Sequence, residues 1–277
     1  MMSLLKNIGV KMIMNIIYNE KTVLDKFLNE NRCDISVNKL IPILIKYHYK
    51  NGIEDKLKLR ERILEDLYNL DNTNLRSVWI NKVDKCIKYF MKNIRKDEFV
   101  TDIIDVDSVD IYEEELIFID NVKEFKYKKL LFIMLVWTKV YRKFNKNVVS
   151  EKIIDLLKLS KCETRNKSYR NSLLHYIKKR EFAWIKFENK TYYTKINYLK
   201  EEGEIAFTVD DIENAIYYYL NWSGERWIKC SECGEYFKKP KSKANNIRYC
   251  NKCSKKIELK KNSERVKKCI KKKDTRV

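Results

Sequence analysis

Glycine and proline are scarce, at five and two in 277 residues. Tight turns consume both, so their scarcity disfavours an all-β chain and favours long helices. It also leaves no glycine-rich phosphate cradle: the chain contains neither a G-x-G-x-x-G run nor a Walker loop. Long apolar runs are missing as well. The most apolar stretch, LLFIMLVW at 130–137, is bracketed by Lys126, Lys128, Lys129 and Lys139. Eight residues do not cross a bilayer, so it reads as a buried helix segment, with no membrane partner. The opening MMSLLKNIGVKM carries two lysines and lacks the apolar core and cleavage pattern of a signal peptide. Nor do the eight cysteines form a disulfide framework. Four make two CxxC pairs near the end, while Cys33, Cys86, Cys162 and Cys269 stand alone. That usage suits a reducing, cytoplasmic setting with one metal site.

What is abundant is positive charge. The 59 basic and 39 acidic residues leave a net +20, which favours a polyanionic partner. The distribution says more than the total, because the chain is rich in Lys, Asn, Ile and Tyr throughout. Residues 230–277 hold 17 Lys/Arg against 5 Asp/Glu, whereas residues 97–120 hold ten Asp/Glu and no Lys/Arg. A basic contact surface is therefore expected at the C-terminal end. The acidic segment is expected to face basic parts of this chain or of a basic protein partner.

Apolar spacing gives helices over 20–50, 56–69 and 75–95. The segment 97–120 is open between strand, loop and short helix. Further helices are expected at about 124–144, at 149–161, and from beyond Thr164 to near Glu188, the last through Tyr169, Leu173, Ile177 and Trp184. TYYTKINYL and EIAFTV, joined by KEEG, read as a hairpin. A short helix IENAIYYYLNW follows, capped by Asp210 or Asp211, and Ser223-Gly224 marks the boundary before the tail. The fold class is thus predominantly α-helical: a helical bundle, a small β-hairpin region and a C-terminal zinc finger.

The tail places Cys230, Cys233, Cys250 and Cys253 as two CxxC pairs sixteen residues apart. Four thiolates suit one tetrahedral zinc, held as a structural Zn2+ cofactor with no open coordination position. Gly234 is placed for the tight turn after the first pair, and Phe237 for apolar cover. CxxCGxxF followed by RYCxxC resembles the treble-clef and zinc-ribbon modules at the ends of many nucleic-acid-associated proteins; the resemblance covers residues 229–256. Lys238, Lys239, Lys241, Lys243 and Arg248 lie between the pairs. Lys255, Lys256, Lys260, Lys261, Arg265, Lys267 and Lys268 follow on an expected basic helix. These are the candidate contacts to RNA or another nucleic acid, and their affinity would fall steeply with salt. Trp222 and Trp227 flank the module and are candidates for base stacking or for packing.

A second constellation is Arg170-Asn171-Ser-Leu-Leu-His175. On a helix Asn171 and His175 share a face, and the long Arg170 side chain reaches toward them. An imidazole transfers protons near neutral pH and a guanidinium stabilises charge on a phosphate. The pattern resembles the RNxxxH motif of HEPN-domain ribonucleases, over residues 60–187. That resemblance implies a helical bundle, a composite site formed in a homodimer, and metal-independent endoribonuclease cleavage through the RNA's own 2′-hydroxyl, in toxins or in defence against mobile elements. It also implies that Arg170 contacts phosphate, Asn171 organises the site and His175 moves the proton. His48, in IKYHYK, has no metal-binding neighbours and reads as structural or surface.

The expected division is 1–96, an N-terminal helical region; 97–189, the HEPN-like region; 190–228, hairpin and connecting helix; and 229–277, the zinc-binding basic module. The alternative function is a non-enzymatic zinc-containing nucleic-acid-binding regulator or mobile-element accessory protein. It needs the cysteines but not the histidine. Protein recruitment through the acidic segment is a third reading.

Overall fold

The structure is a computed structural model that describes residues 17–33, 35–70, 76–96, 99–162, 166–180, 182–188, 191–240 and 247–274. It divides into two compact units, Met1–Glu213 and Asn214–Val277. The expectation for the first dozen residues lies outside the described part.

The first unit begins with four helices, α1 Glu20–Glu30, α2 Val37–Lys50, α3 Lys56–Leu70 and α4 Arg76–Asn93. Their apolar stripes meet in one core, with Val23, Leu24 and Phe27 packed among Leu40, Leu44, Ile63, Leu67, Val83, Ile87 and Phe90. An ion pair and a histidine–carboxylate contact are enclosed with it. Lys46 Nζ lies 2.8 Å from Glu20 Oε2 and donates to Asp102 O at 3.2 Å; His48 Nε2 sits 2.5 Å from Asp66 Oδ2. His48 is therefore a structural histidine.

The acidic segment resolves into strand β1 Val109–Tyr112 and helix α5 Glu113–Asp120. Much of its charge is met within the chain. Asp102 pairs with Lys50, Glu114 with Lys200 and Asp120 with Lys128. Glu115 is fully buried, 2.9 Å from Lys139 Nζ; it also accepts from the backbone N–H of Tyr112 at 3.0 Å and of Lys200 at 2.9 Å. A buried carboxylate is tolerable because a cation and two amides replace its water. Burial in turn lowers the pKa of Lys139, against the pull of Glu115.

Helix α6, Phe125–Arg142, follows. Every residue from Leu130 to Thr138 is buried, so the most apolar stretch is a core helix, as its length requires. Among the described residues no helix is long and apolar enough to cross a membrane.

Beyond α6 the expectations need correction. The helix expected at 149–161 is strand β2 Val149–Glu151 followed by a shorter α7, Ile153–Leu159; two adjacent valines favour the extended chain at its start. The helix expected to run from beyond Thr164 to Glu188 is α8 Lys167–Lys179, and Trp184 lies instead on strand β3 Ala183–Glu188. Trp184 falls seven residues after Ile177, a helical repeat by coincidence, whereas AWIKFE alternates with period two. Strand β4, Thr191–Ile196, does not pair with β5, Ile205–Val209. It lies between β2 and β3 in an antiparallel sheet of order β2-β4-β3, and β5 pairs with β1 through Val109↔Val209 and Ile111↔Phe207. A small β-hairpin region exists, but its hairpin is β3–β4.

The second unit holds helix α9 Ile216–Trp222, the hairpin β6 Trp227–Lys229 with β7 Tyr236–Lys238, and the long helix α10 Asn251–Asp274. The N-cap of α9 is Ala215, with no side-chain cap, and not Asp210 or Asp211. Tyr217 stacks on Tyr236 with centroids 4.3 Å apart and meets Trp227 at 5.0 Å. The fold is predominantly helical, with small β elements and a C-terminal cysteine cluster.

Candidate metal centre

The two CxxC pairs reach one point from different elements. Cys230 and Cys233 sit in the turn of the β6–β7 hairpin, which is closed by Cys230 N donating to Glu235 O and Gly234 N to Cys230 O, both at 2.9 Å. Gly234 has φ 71°, a left-handed backbone that costs a residue with a Cβ but not glycine. Cys250 precedes α10 and its carbonyl accepts the first helical bond, from Ser254 N at 2.9 Å; Cys253 lies in the first turn. Ser231 N donates to Arg248 O at 3.0 Å and ties the two halves together.

The four Sγ atoms lie within 4.8 Å of one another, and Cys233 and Cys250 are separated by 3.9 Å. A zinc ion at about 2.3 Å from each sulfur would require edges of about 3.8 Å. The donor set therefore fits zinc in both chemistry and size. Cys230 and Cys253 are buried, Cys250 is half-buried and Cys233 is exposed.

Backbone amides prepare part of the charge. Burial opposes ionisation of Cys230, but hydrogen bonds from the backbone of Cys250, Cys233 and Glu232 outweigh it and hold the thiol down to about 6; the Cys250 amide lies 3.3 Å from Cys230 Sγ. Cys253 is pushed the other way, up to about 12, by burial, by hydrogen bonds with the other three thiols and by charge on Cys230. Four neighbouring thiols do not all ionise on their own. A divalent cation at their centre removes that repulsion, which is how binding a metal becomes folding energy. The cluster is thus a structural Zn2+ site, and four sulfurs leave no position for water or substrate.

The metal-independent endoribonuclease expected from RNSLLH is corrected here. The chemistry that the fold gathers is this four-cysteine site, so a strictly metal-independent activity is not what the chain is built around; the alternative, a zinc-containing protein, agrees better. Arg170, Asn171 and His175 all lie on α8, where Arg170 is half-buried and Asn171 and His175 stand exposed. None of the three lines the cavity of about 730 Å³ beside α2 and α4.

Of the expected nucleic-acid contacts, Lys238 and Arg248 are exposed and Lys239 is half-buried. Lys238 pairs with Glu225 at 2.9 Å. Lys255, Lys256, Lys260, Lys261 and Arg265 are exposed on α10. Lys241 and Lys243 lie outside the described residues; Lys267 and Lys268 lie on α10 with side chains that are not described. Sequence reasoning passed over Lys229 and Lys252, both exposed, because each sits beside or between metal ligands; their charge was the available signal. Of the two flanking tryptophans, Trp227 donates its indole N–H to Glu225 at 2.7 Å, whereas Trp222 stacks on Tyr219 with centroids 5.9 Å apart. Comparison of the chain with family models, with curated proteins and with solved structures finds no match.

Proposed function

We propose that this chain is a non-enzymatic, zinc-containing nucleic-acid-binding protein, acting as a regulator or as an accessory protein of a mobile element. One observation carries the reading: the four-thiol site lies at the root of α10, whose exposed described side chains include Lys252, Lys255, Lys256, Lys260, Lys261 and Arg265 against Glu258 and Glu264. Zinc fixes the root of a cationic rod, and phosphates are the partner that such a rod attracts. A basic protein partner is not needed for it, since Asp102, Glu114, Glu115 and Asp120 already meet lysines of the same chain.

The test is binding of the zinc-loaded full chain to RNA and DNA across a salt series, beside a variant with Lys255, Lys256, Lys260 and Lys261 changed to Glu. The expected result is affinity that falls steeply with salt in the wild type, with a shallower slope and much weaker binding in the variant. Equal, salt-insensitive binding by both proteins would sink the proposal.

A further inference from the structure

The three-stranded sheet of the first unit has two unlike faces. One is built from Ala183, Thr194, Ile196 and Val149, all buried, with Ile185 half-buried among them by register. The other carries Trp184 opposite Lys195 and Lys186 opposite Tyr193. Trp184 is 50% exposed, Lys186 and Lys195 are exposed, and Tyr193 is half-buried. Aromatic and cationic side chains alternate across this face, and cross-strand neighbours stand about 5 Å apart at Cβ. Of the two lysines, Lys186 is partly neutralised by Glu188, 2.8 Å away.

The chain that leads into β3 is also positive. Helix α8 packs against β3, contains no Asp or Glu, and ends in Lys178 and Lys179 with Arg180 as its C-cap, all exposed and three to five residues before Ala183. A half-exposed indole costs apolar surface in water. Lysine stems alone would cover part of it, but a flat π-face flanked by ammonium groups has a natural complement in an unpaired base with its phosphate.

We infer that the outer face of the β2-β4-β3 sheet binds single-stranded nucleic acid, with Trp184 and Tyr193 as stacking platforms and Lys186, Lys195 and the Lys178–Arg180 run as phosphate contacts. The two rings are diagonal neighbours about 7–8 Å apart, which admits one base on each. A duplex buries its base faces in its own stack and gains nothing from the rings, so the face discriminates by strandedness. Stacking is indifferent to the sugar, so RNA and DNA single strands are held alike. The inference rests on the reading of the chain as a nucleic-acid-binding protein and adds a contact that the zinc module does not make.

Fluorescence anisotropy of the zinc-loaded full chain tests it, with a short unstructured RNA, the DNA of the same sequence and the corresponding duplex as probes. Trp184→Ala is expected to weaken both single strands about tenfold and to leave the duplex unchanged, while Trp184→Phe, which keeps a ring, retains most of the affinity. The idea is overturned if Trp184→Ala binds single strands as the wild type does, or if it weakens single strands and duplex equally. Lys260→Glu with Lys261→Glu separates this inference from the broader reading. If that pair leaves all binding unchanged while Trp184→Ala loses the single strands, the module's role falls and the sheet's stands.

Discussion

The two units reach stability by different routes. In Met1–Glu213 an entire turn and more of α6, Leu130 to Thr138, is enclosed by apolar neighbours. In Asn214–Val277 the long helix has every described side chain from Glu258 to Val266 exposed, and only Cys253 of its first turn is buried. Burial sustains the first; a helix without a packed face lacks the tertiary packing from which most helical stability in proteins comes. The difference teaches that the charge-bearing part of the chain is conditional on its thiolates, whereas the body is not.

The comparison breaks most directly on metal removal. Chelation, or Cys253→Ser, is expected to remove an apparent contribution on the order of 10 kcal/mol. Amide hydrogen exchange should then show α10 and β6–β7 losing protection while α2, α3 and α6 keep theirs; uniform loss would show one cooperative unit instead. The reciprocal experiment is Trp137→Ala, which opens a cavity beside α6 at a cost of about 4 kcal/mol. Its thermal transition should fall while zinc stoichiometry, measured by metal analysis, stays at one. Glu115→Ala removes the carboxylate partner of the half-buried Lys139, which keeps the Asp110 carbonyl at 2.8 Å, and takes the acceptor from the amides of Tyr112 and Lys200; it is expected to cost the body about 3 kcal/mol, read from a urea midpoint. Glu115→Gln, which keeps an acceptor for one of the two amides, should recover part of that loss.

The smallest effect concerns pH. Burial and the neighbouring Asp211 carboxylate raise the pKa of Glu213 in the folded chain. A carboxyl raised on folding disfavours the native state when ionised, so the penalty is present at neutral pH and is relieved as pH falls through the folded value. Glu213→Gln is accordingly expected to stabilise the body by a few tenths of a kcal/mol at neutral pH, because the site is partly open to water. The gain should vanish under mild acid; a gain that persisted there would place its origin elsewhere than in charge.

Legibility followed the range of the interactions. LLFIMLVW declared α6 because its composition has only one comfortable environment, and the cysteine pairs declared their site because thiolate spacing is local at both ends. Trp184 was misread because a seven-residue repeat is shared by helix and chance. The partner of β5 was missed because Val209 meets Val109 across most of the unit, and nothing in EIAFTV distinguishes an acidic strand far upstream from the adjacent TYYTKI. RNSLLH placed its three polar groups on one helix correctly; what three letters could not convey is whether anything else gathers around Asn171 and His175, and both stand exposed on α8.

Because Cys250 and Cys253 lie only at the root of α10, a zinc ion held by the four thiolates would also serve as a hinge pin. A rod of 24 residues extends about 36 Å, so a few degrees of tilt at the pin swings its far end by several ångströms. With zinc bound, the aim of the cationic rod would be set largely by how the four sulfurs are arranged around the ion. An ion of the same charge that imposed a flatter geometry would leave every lysine in place and point them somewhere else.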